Sequence, residues 1–148
     1  MATALATESV EVRKEATAAG PIVFYDGDCG LCARTVQVVL RHDKNGIFRF
    51  APLQGETASE LIGPPEGDPD AWTFVLLDET GVYDRSTGAL RIFKRVRWGW
   101  FLPTLGLWVP RFLRDWVYRV VAKIRYRVWG RADTCPLPTK SQMTRFMP

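Results

Sequence analysis

Apolar positions along the chain fall into unlike patterns, and each pattern predicts a different element. The run "PIVFY" (Pro21–Tyr25) is short, unbroken and rich in strand formers, and "DGD" ends it. That is the signature of a buried strand stopped by a turn. Cys32, Val36, Val39 and Leu40 then recur at helical spacing. They predict a helix from about Cys29 to His42, capped by Asp28 and stopped by "KNG" (Lys44–Gly46). "IFRFAPL" (Ile47–Leu53) reads as a second strand, stopped by Pro52, and a short helix is expected over Glu56–Ile62. Past the loop "GPPEGDPD", "WTFVLLDETGVYDRS" holds two strands joined by a turn at Asp78–Gly81. Ser86 is placed to cap a helix from Thr87 to about Val96.

The order β-α-β-α-β-β-α joins a parallel pair, made by a crossover, to a hairpin and a closing helix. It predicts an α/β, thioredoxin-like layout: a mixed four-stranded sheet with helices on both faces. The C-terminal third is patterned differently. "RWGWFLPTLGLWVPRFLRDWVYRVVAKIRYRVWG" carries five of the six tryptophans, and Pro103 and Pro110 interrupt it. No uninterrupted stretch of about 18 apolar residues remains to span a membrane. From Arg111 to Val128 the pattern is an amphipathic helix. Its stripe of Leu113, Val117, Val120, Val121, Ile124 and Val128 is expected to pack on the sheet, with Arg114, Arg119, Lys123 and Arg125 mostly off it. The expected boundaries are a disordered N-terminal tail at 1–20, one domain at 21–138 with a helical extension at 97–131, and a C-terminal tail at 139–148.

Charge adds one feature. The net charge is +4, yet Arg91–Arg131 holds eleven Lys or Arg and one acid, Asp115, for +10, leaving −6 on the remainder. A basic region of this kind is either a solvated helix face or a site for an anionic partner, and Trp beside Arg also suits a membrane interface. At 148 residues, 47% of them apolar, the chain is sized for a single domain with a real core. Its three cysteines are too few for a disulfide scaffold, which suits a reducing, cytoplasmic setting. The first twenty residues carry Glu8, Glu11 and Glu15 without an apolar core, unlike a secretory signal or a transit peptide.

The candidate chemistry lies in "YDGDCGLC". Two thiols three residues apart at a helix start can close into a disulfide with little backbone movement. Cys29 would face unpaired backbone N–H groups and the positive end of the helix dipole, which favours thiolate. Cys32, one turn in, would be more shielded and suited to resolving a mixed disulfide. Asp28 opposes the effect unless it turns away. Asp26 is either a proton acceptor for Cys32 or a hydrogen-bond partner of the turn at Gly27. A metal site would need two further ligands, and Cys135 and His42 are the remaining soft candidates. His42 ends the helix that Cys29 begins, roughly 20 Å away at 1.5 Å per residue, so no metal is expected. Asp26 and Asp28 also suggest the Asp-x-Asp opening of a haloacid dehalogenase-like phosphohydrolase. Here the one adjacent acidic pair, Asp78 and Glu79, falls in a hairpin turn.

The motif "YDGDCGLC" resembles the signature of the DCC family (DUF393), described as thiol-disulfide oxidoreductases of thioredoxin-like fold. "RFAPLQ" (Arg49–Gln54), "RSTGAL" (Arg85–Leu90) and "VPRFLRDWVYRVVAKIRYRVWGR" followed by "CPLP" also resemble family segments, extending the likeness over about Pro21–Pro138. The resemblance implies that Asp26, Cys29 and Cys32 are motif positions and Cys135 a recurrent late cysteine. Thioredoxins also carry a cis-proline just before the third core strand. Here the nearest is Pro69, with "DAW" between it and Thr73, which implies an altered peptide-docking surface. Arg85 and Ser86 at a helix start would suit glutathione carboxylates, or Ser86 serves simply as a cap.

The expected function is thiol-disulfide exchange, as a protein-disulfide reductase, with Cys29 as nucleophile and Cys32 as resolver. The expected partners are a disulfide-containing protein or a low-molecular-weight thiol, with no cofactor and no specific nucleic acid. A weak membrane-surface or anionic partner is expected through the basic helix. The alternatives are a binding module using that helix with a redox-sensitive CxxC, or the phosphohydrolase.

Overall fold

A computed structural model describes residues 11–63, 74–96, 106, 108–130 and 139–148. In chain order they form α1 (11–17), β1 (Ile22–Tyr25), α2 (Gly30–His42), β2 (Arg49–Pro52), α3 (Glu56–Leu61), β3 (Val75–Asp78), β4 (Gly81–Asp84), α4 (Arg85–Arg95), α5 (Arg111–Trp129) and α6 (Lys140–Met143). The sheet order is β2-β1-β3-β4. β1 runs parallel to β2 with Val23 opposite Phe50, and antiparallel to β3 with Val23 opposite Leu76. β3 and β4 form the hairpin, closed by Asp78 opposite Gly81. This is the mixed four-stranded α/β sheet of a thioredoxin-like fold.

Alternation along β1 splits the core into two layers, because successive side chains of a strand point to opposite faces. Val23 and Tyr25 meet Cys32, Val36 and Val39 of α2 and Ile92 of α4 on one face. Ile22 and Phe24 meet Ala58 and Leu61 of α3, with Ala16 of α1, on the other. Helices therefore cover both faces, as the element order predicts.

Four local expectations are corrected. Part of the stretch expected to be a disordered tail is helical over 11–17, where Arg13 Nε donates to the Leu61 carbonyl at 2.7 Å. The second strand begins only at Arg49, because the N–H groups of Ile47 and Phe48 go to the Asp43 carboxylate at 3.1 and 3.0 Å instead of to a ladder. α2 starts at Gly30 with Cys29 at the cap position, and Asp28 supplies no side-chain cap. α4 starts at Arg85, and Ser86 is not its cap: the hydroxyl is buried and donates to the Asp115 carboxylate of α5.

The largest correction concerns α5. Of its predicted stripe, Leu113, Val117, Val120, Ile124 and Val128 are exposed, and only Val121 borders the interior, on the cavity described below. The inward face carries Tyr118, Ala122 and Arg125 instead, with Ala122 and Arg125 buried. Polar partners fix this orientation. Asp26 is buried below and Ser86 beside the helix, and a buried carboxylate left without a cation is far costlier than an apolar side chain left in water.

The last residues also belong to the fold. Phe50 N–H donates to the Arg145 carbonyl and Met147 N–H to the Phe50 carbonyl, both at 2.8 Å. Phe146 stacks on Phe50 with ring centroids 5.4 Å apart. The segment covers the outer edge of β2, the kind of edge that otherwise invites intermolecular pairing. Cys135 and Pro69 lie outside the described residues.

Candidate active site

The chain turns sharply after β1, so Asp26 ends a strand at the sheet's carboxyl edge and Cys29 opens α2. Asp26 is buried, and among the described residues its carboxylate accepts from four donors. Oδ1 accepts from the Asp28 N–H at 3.1 Å and from Gln54 Nε2 at 2.9 Å. Oδ2 accepts from Arg125 Nη2 at 3.0 Å and from the Tyr126 hydroxyl. Gln54 also accepts the Gly27 N–H through Oε1 at 3.2 Å, so one amide braces both the turn and the carboxylate. The turn-holding role weighed for Asp26 is thus present, and it comes with a buried ion pair from α5.

Arg125 joins this network to the thiols. Its Nη1 lies 3.7 Å from Cys32 Sγ, so one guanidinium spans the carboxylate and the sulfur. Burial disfavours the Arg125 charge, but the charges of the two cysteines, Tyr126 and Asp26 outweigh it and raise its pKa.

Both cysteines are buried. Their pKa values are displaced in opposite directions. A hydrogen bond from Cys32 is the main influence lowering Cys29, aided by backbone N–H groups of Cys32 and Leu31 and by the Arg125 charge. Burial opposes these, and Cys29 settles at about 6, against an ordinary 9.0. Cys32 is pushed strongly upward, first by that same hydrogen bond to Cys29, then by burial and the neighbouring thiolate charge. The two displacements favour the thiolate on Cys29 and the thiol on Cys32. Asp28 is exposed, where water and salt screen its charge. Its opposition to the thiolate is correspondingly weak.

The C-terminal end of α5 closes over the start of α2. Gly30 N–H donates to the Gly130 carbonyl at 3.3 Å. A Cβ at Gly30 would stand 2.7 Å from the Trp129 carbonyl oxygen, so only glycine permits this approach. Beside Cys32 a cavity of about 160 Å³ is lined by Leu31, Thr35, Phe74, Tyr118 and Arg125 among others. The Tyr118 hydroxyl accepts the Phe74 N–H at 3.1 Å, and burial pushes its pKa up to about 12.

A model of a known family, described as "DCC1-like thiol-disulfide oxidoreductase", matches residues 23–131. The chain belongs to the DCC1-like family. Two relatives agree with this. The "Uncharacterized protein YuxK" of Bacillus subtilis (strain 168) is 36% identical over 128 residues, covering 86% of this chain and 93% of that protein. The "DCC family protein At1g52590, chloroplastic" of Arabidopsis thaliana is 36% identical over 121 residues, covering 79% and 69%. No solved structure gives a significant match.

The structure of this DCC1-like chain places Asp26, Cys29 and Cys32 close together, joined through Arg125. It separates the other candidates. Asp28 turns to solvent while Asp26 turns inward, so the two carboxylates do not converge on one substrate as a phosphohydrolase requires. His42 sits at the far end of α2 with its Nδ1 2.8 Å from the Val38 carbonyl. Among the described residues no group of three or more His, Cys, Asp or Glu is arranged to hold a metal ion. Ser86 is occupied by Asp115, which removes its hydroxyl from anion binding. Sequence reasoning missed Gln54, Arg125 and Tyr126. Their signal was the likeness of "RFAPLQ" and of the long C-terminal segment to DCC1-like sequences, which contain them.

Proposed function

We propose that the chain is a protein-disulfide reductase that works through Cys29 as nucleophile and Cys32 as resolving thiol. The observation that carries this reading is geometric: Cys29 stands at the cap position of α2 with Cys32 one turn in, and the Arg125 guanidinium lies 3.7 Å from Cys32 Sγ. The Cys29 thiolate attacks one sulfur of a substrate disulfide. A Cys29–substrate disulfide forms, and the other substrate sulfur leaves as a thiolate that takes a proton. Cys32 then loses its proton and attacks Cys29 Sγ, closing the intramolecular disulfide and releasing the second substrate thiol. The substrate gains two electrons and two protons, and the Cys29–Cys32 dithiol is oxidised. Arg125 and Asp26 act as positioning residues: the cation favours sulfur anions, and the carboxylate holds the cation in place.

The substrate class is a disulfide-bearing protein or a low-molecular-weight thiol disulfide, in a reducing, cytoplasmic compartment where the dithiol is regenerated. Titration in glutathione buffers with mapping of alkylated peptides tests this. A reversible two-electron Cys29–Cys32 couple is expected, with exchange abolished in Cys29→Ser and mixed disulfides trapped in Cys32→Ser. Normal turnover by Cys29→Ser would overturn the mechanism.

A further inference from the structure

The outer face of α5 is unusual for a helix packed on a domain. Phe112 is 74% exposed, Trp116 58% and Val128 60%, and Val120 and Ile124 continue the same face. Single exposed apolar side chains are ordinary, whereas a contiguous row along one helix marks an interaction surface. Arg119, Lys123 and Arg127 run beside this row at four-residue spacing, all exposed. The one acid of the helix, Asp115, is turned inward to Ser86 and Arg111. The outward face is therefore apolar and purely cationic. At 19 residues it is roughly 28 Å long. Among the described residues no helix is long and apolar enough to cross a membrane.

We infer that this face docks flat on an anionic lipid surface, with the Phe112–Val128 row in the acyl boundary and Arg119, Lys123 and Arg127 at the headgroups. The charge selects this occupant. Trp, Phe and aliphatic residues flanked by Lys and Arg form the composition that partitions into a negatively charged interface. Long basic side chains reach headgroups while their stems cover apolar surface. Pairing the face with itself in a second copy would set cations against cations with no acid to answer them. The surface lies on the side of α5 opposite Arg125, so docking leaves the thiol network untouched and the inference stands apart from the redox reading.

Flotation of the full chain with vesicles of phosphatidylglycerol and phosphatidylcholine, against phosphatidylcholine alone, tests it. At least tenfold stronger binding to the anionic vesicles is expected, with a blue shift of tryptophan emission. The Trp116→Ser/Ile124→Ser and Lys123→Glu/Arg127→Glu proteins should each bind those vesicles at least tenfold more weakly. Both should keep wild-type alkylation kinetics at Cys29, which shows that they are folded. Equal binding to neutral vesicles, or no binding to either, would overturn the inference. So would a dimer in light scattering that Trp116→Ser/Ile124→Ser dissolves, which would make the face a contact between copies.

Discussion

A single guanidinium explains much of the site's chemistry. Arg125 approaches Cys32 Sγ at 3.7 Å and ion-pairs with the buried Asp26 at 3.0 Å, so its removal should act on the thiols and, by leaving that carboxylate without its cation, lower stability as well. In wild type the alkylation rate of Cys29 should rise through a midpoint near 6 and then level off. In Arg125→Met the midpoint should move upward, because loss of a nearby cation disfavours the thiolate. The high-pH plateau should hold. Since a stabilised thiolate favours the reduced form, the couple of this variant should also become more negative. An unchanged midpoint and potential would reduce Arg125 to a packing residue. Asp26, Cys29 and Cys32 were legible because they are neighbours in sequence and their spacing is itself the chemistry. Arg125 and Tyr126 were not, lying about a hundred residues from Asp26. One physical hint was available: a carboxylate at the end of a wholly apolar strand needs a buried cation, and the basic C-terminal third is the place to seek it.

Helix α5 shows how an element can be foreseen and its facing missed. Its limits, Arg111–Trp129, fall within one residue of the periodicity, yet periodicity alone cannot say which face turns inward. Asp115 and Arg125 decide it by meeting Ser86 of α4 and Asp26 after β1. Asp115→Ala should therefore leave a buried hydroxyl unsatisfied, at about 1–3 kcal/mol. Urea denaturation should read this as a lower midpoint. Ser86→Ala together with Asp115→Ala should cost less than the two single changes added, since each alone breaks the same bond. Strictly additive costs would deny the contact. α2 offers the complementary case. A Cβ at position 30 meets the backbone of Trp129, which cannot rotate away, so Gly30→Ala should cost about 1–3 kcal/mol.

Across the whole molecule, the strand order and the two-layer core were legible, since each buried run is bounded by its own turn signals. The clasping of the sheet's edge by Arg145–Met147 was not, because "TRFMP" has no periodicity to mark it. The β3–β4 hairpin is tied to α4 through Asp78, whose buried carboxylate meets Arg91 at 3.3 Å and Arg95 at 3.0 Å. Burial pushes the Asp78 pKa up, but hydrogen bonds from Thr80 and the two arginines outweigh it and leave it below 3.8. A depressed folded value contributes stability above the unfolded pKa and loses it as pH falls through the folded one. Urea midpoints should therefore drop below about pH 4, beneath the earlier fall as the Cys29 thiolate is protonated around 6, and Asp78→Asn should flatten only the lower acid limb. A limb unchanged in the variant would place the acid sensitivity elsewhere. The meeting of Gly30 with Trp129 and Gly130 has a kinetic consequence. Cys29 is reactive in charge yet fully buried, so its reaction should require local opening, and the end of α5 seated on Gly30 is the segment expected to open. Its rate with a small alkylating reagent should thus saturate as reagent concentration rises, and the ceiling is the opening rate of a helix end. Gly30→Ala, by prising that end away, should raise the ceiling without moving the thiol's pH midpoint. The site would then behave as a clocked reactant, setting the tempo of exchange by its own breathing whatever the abundance of substrate.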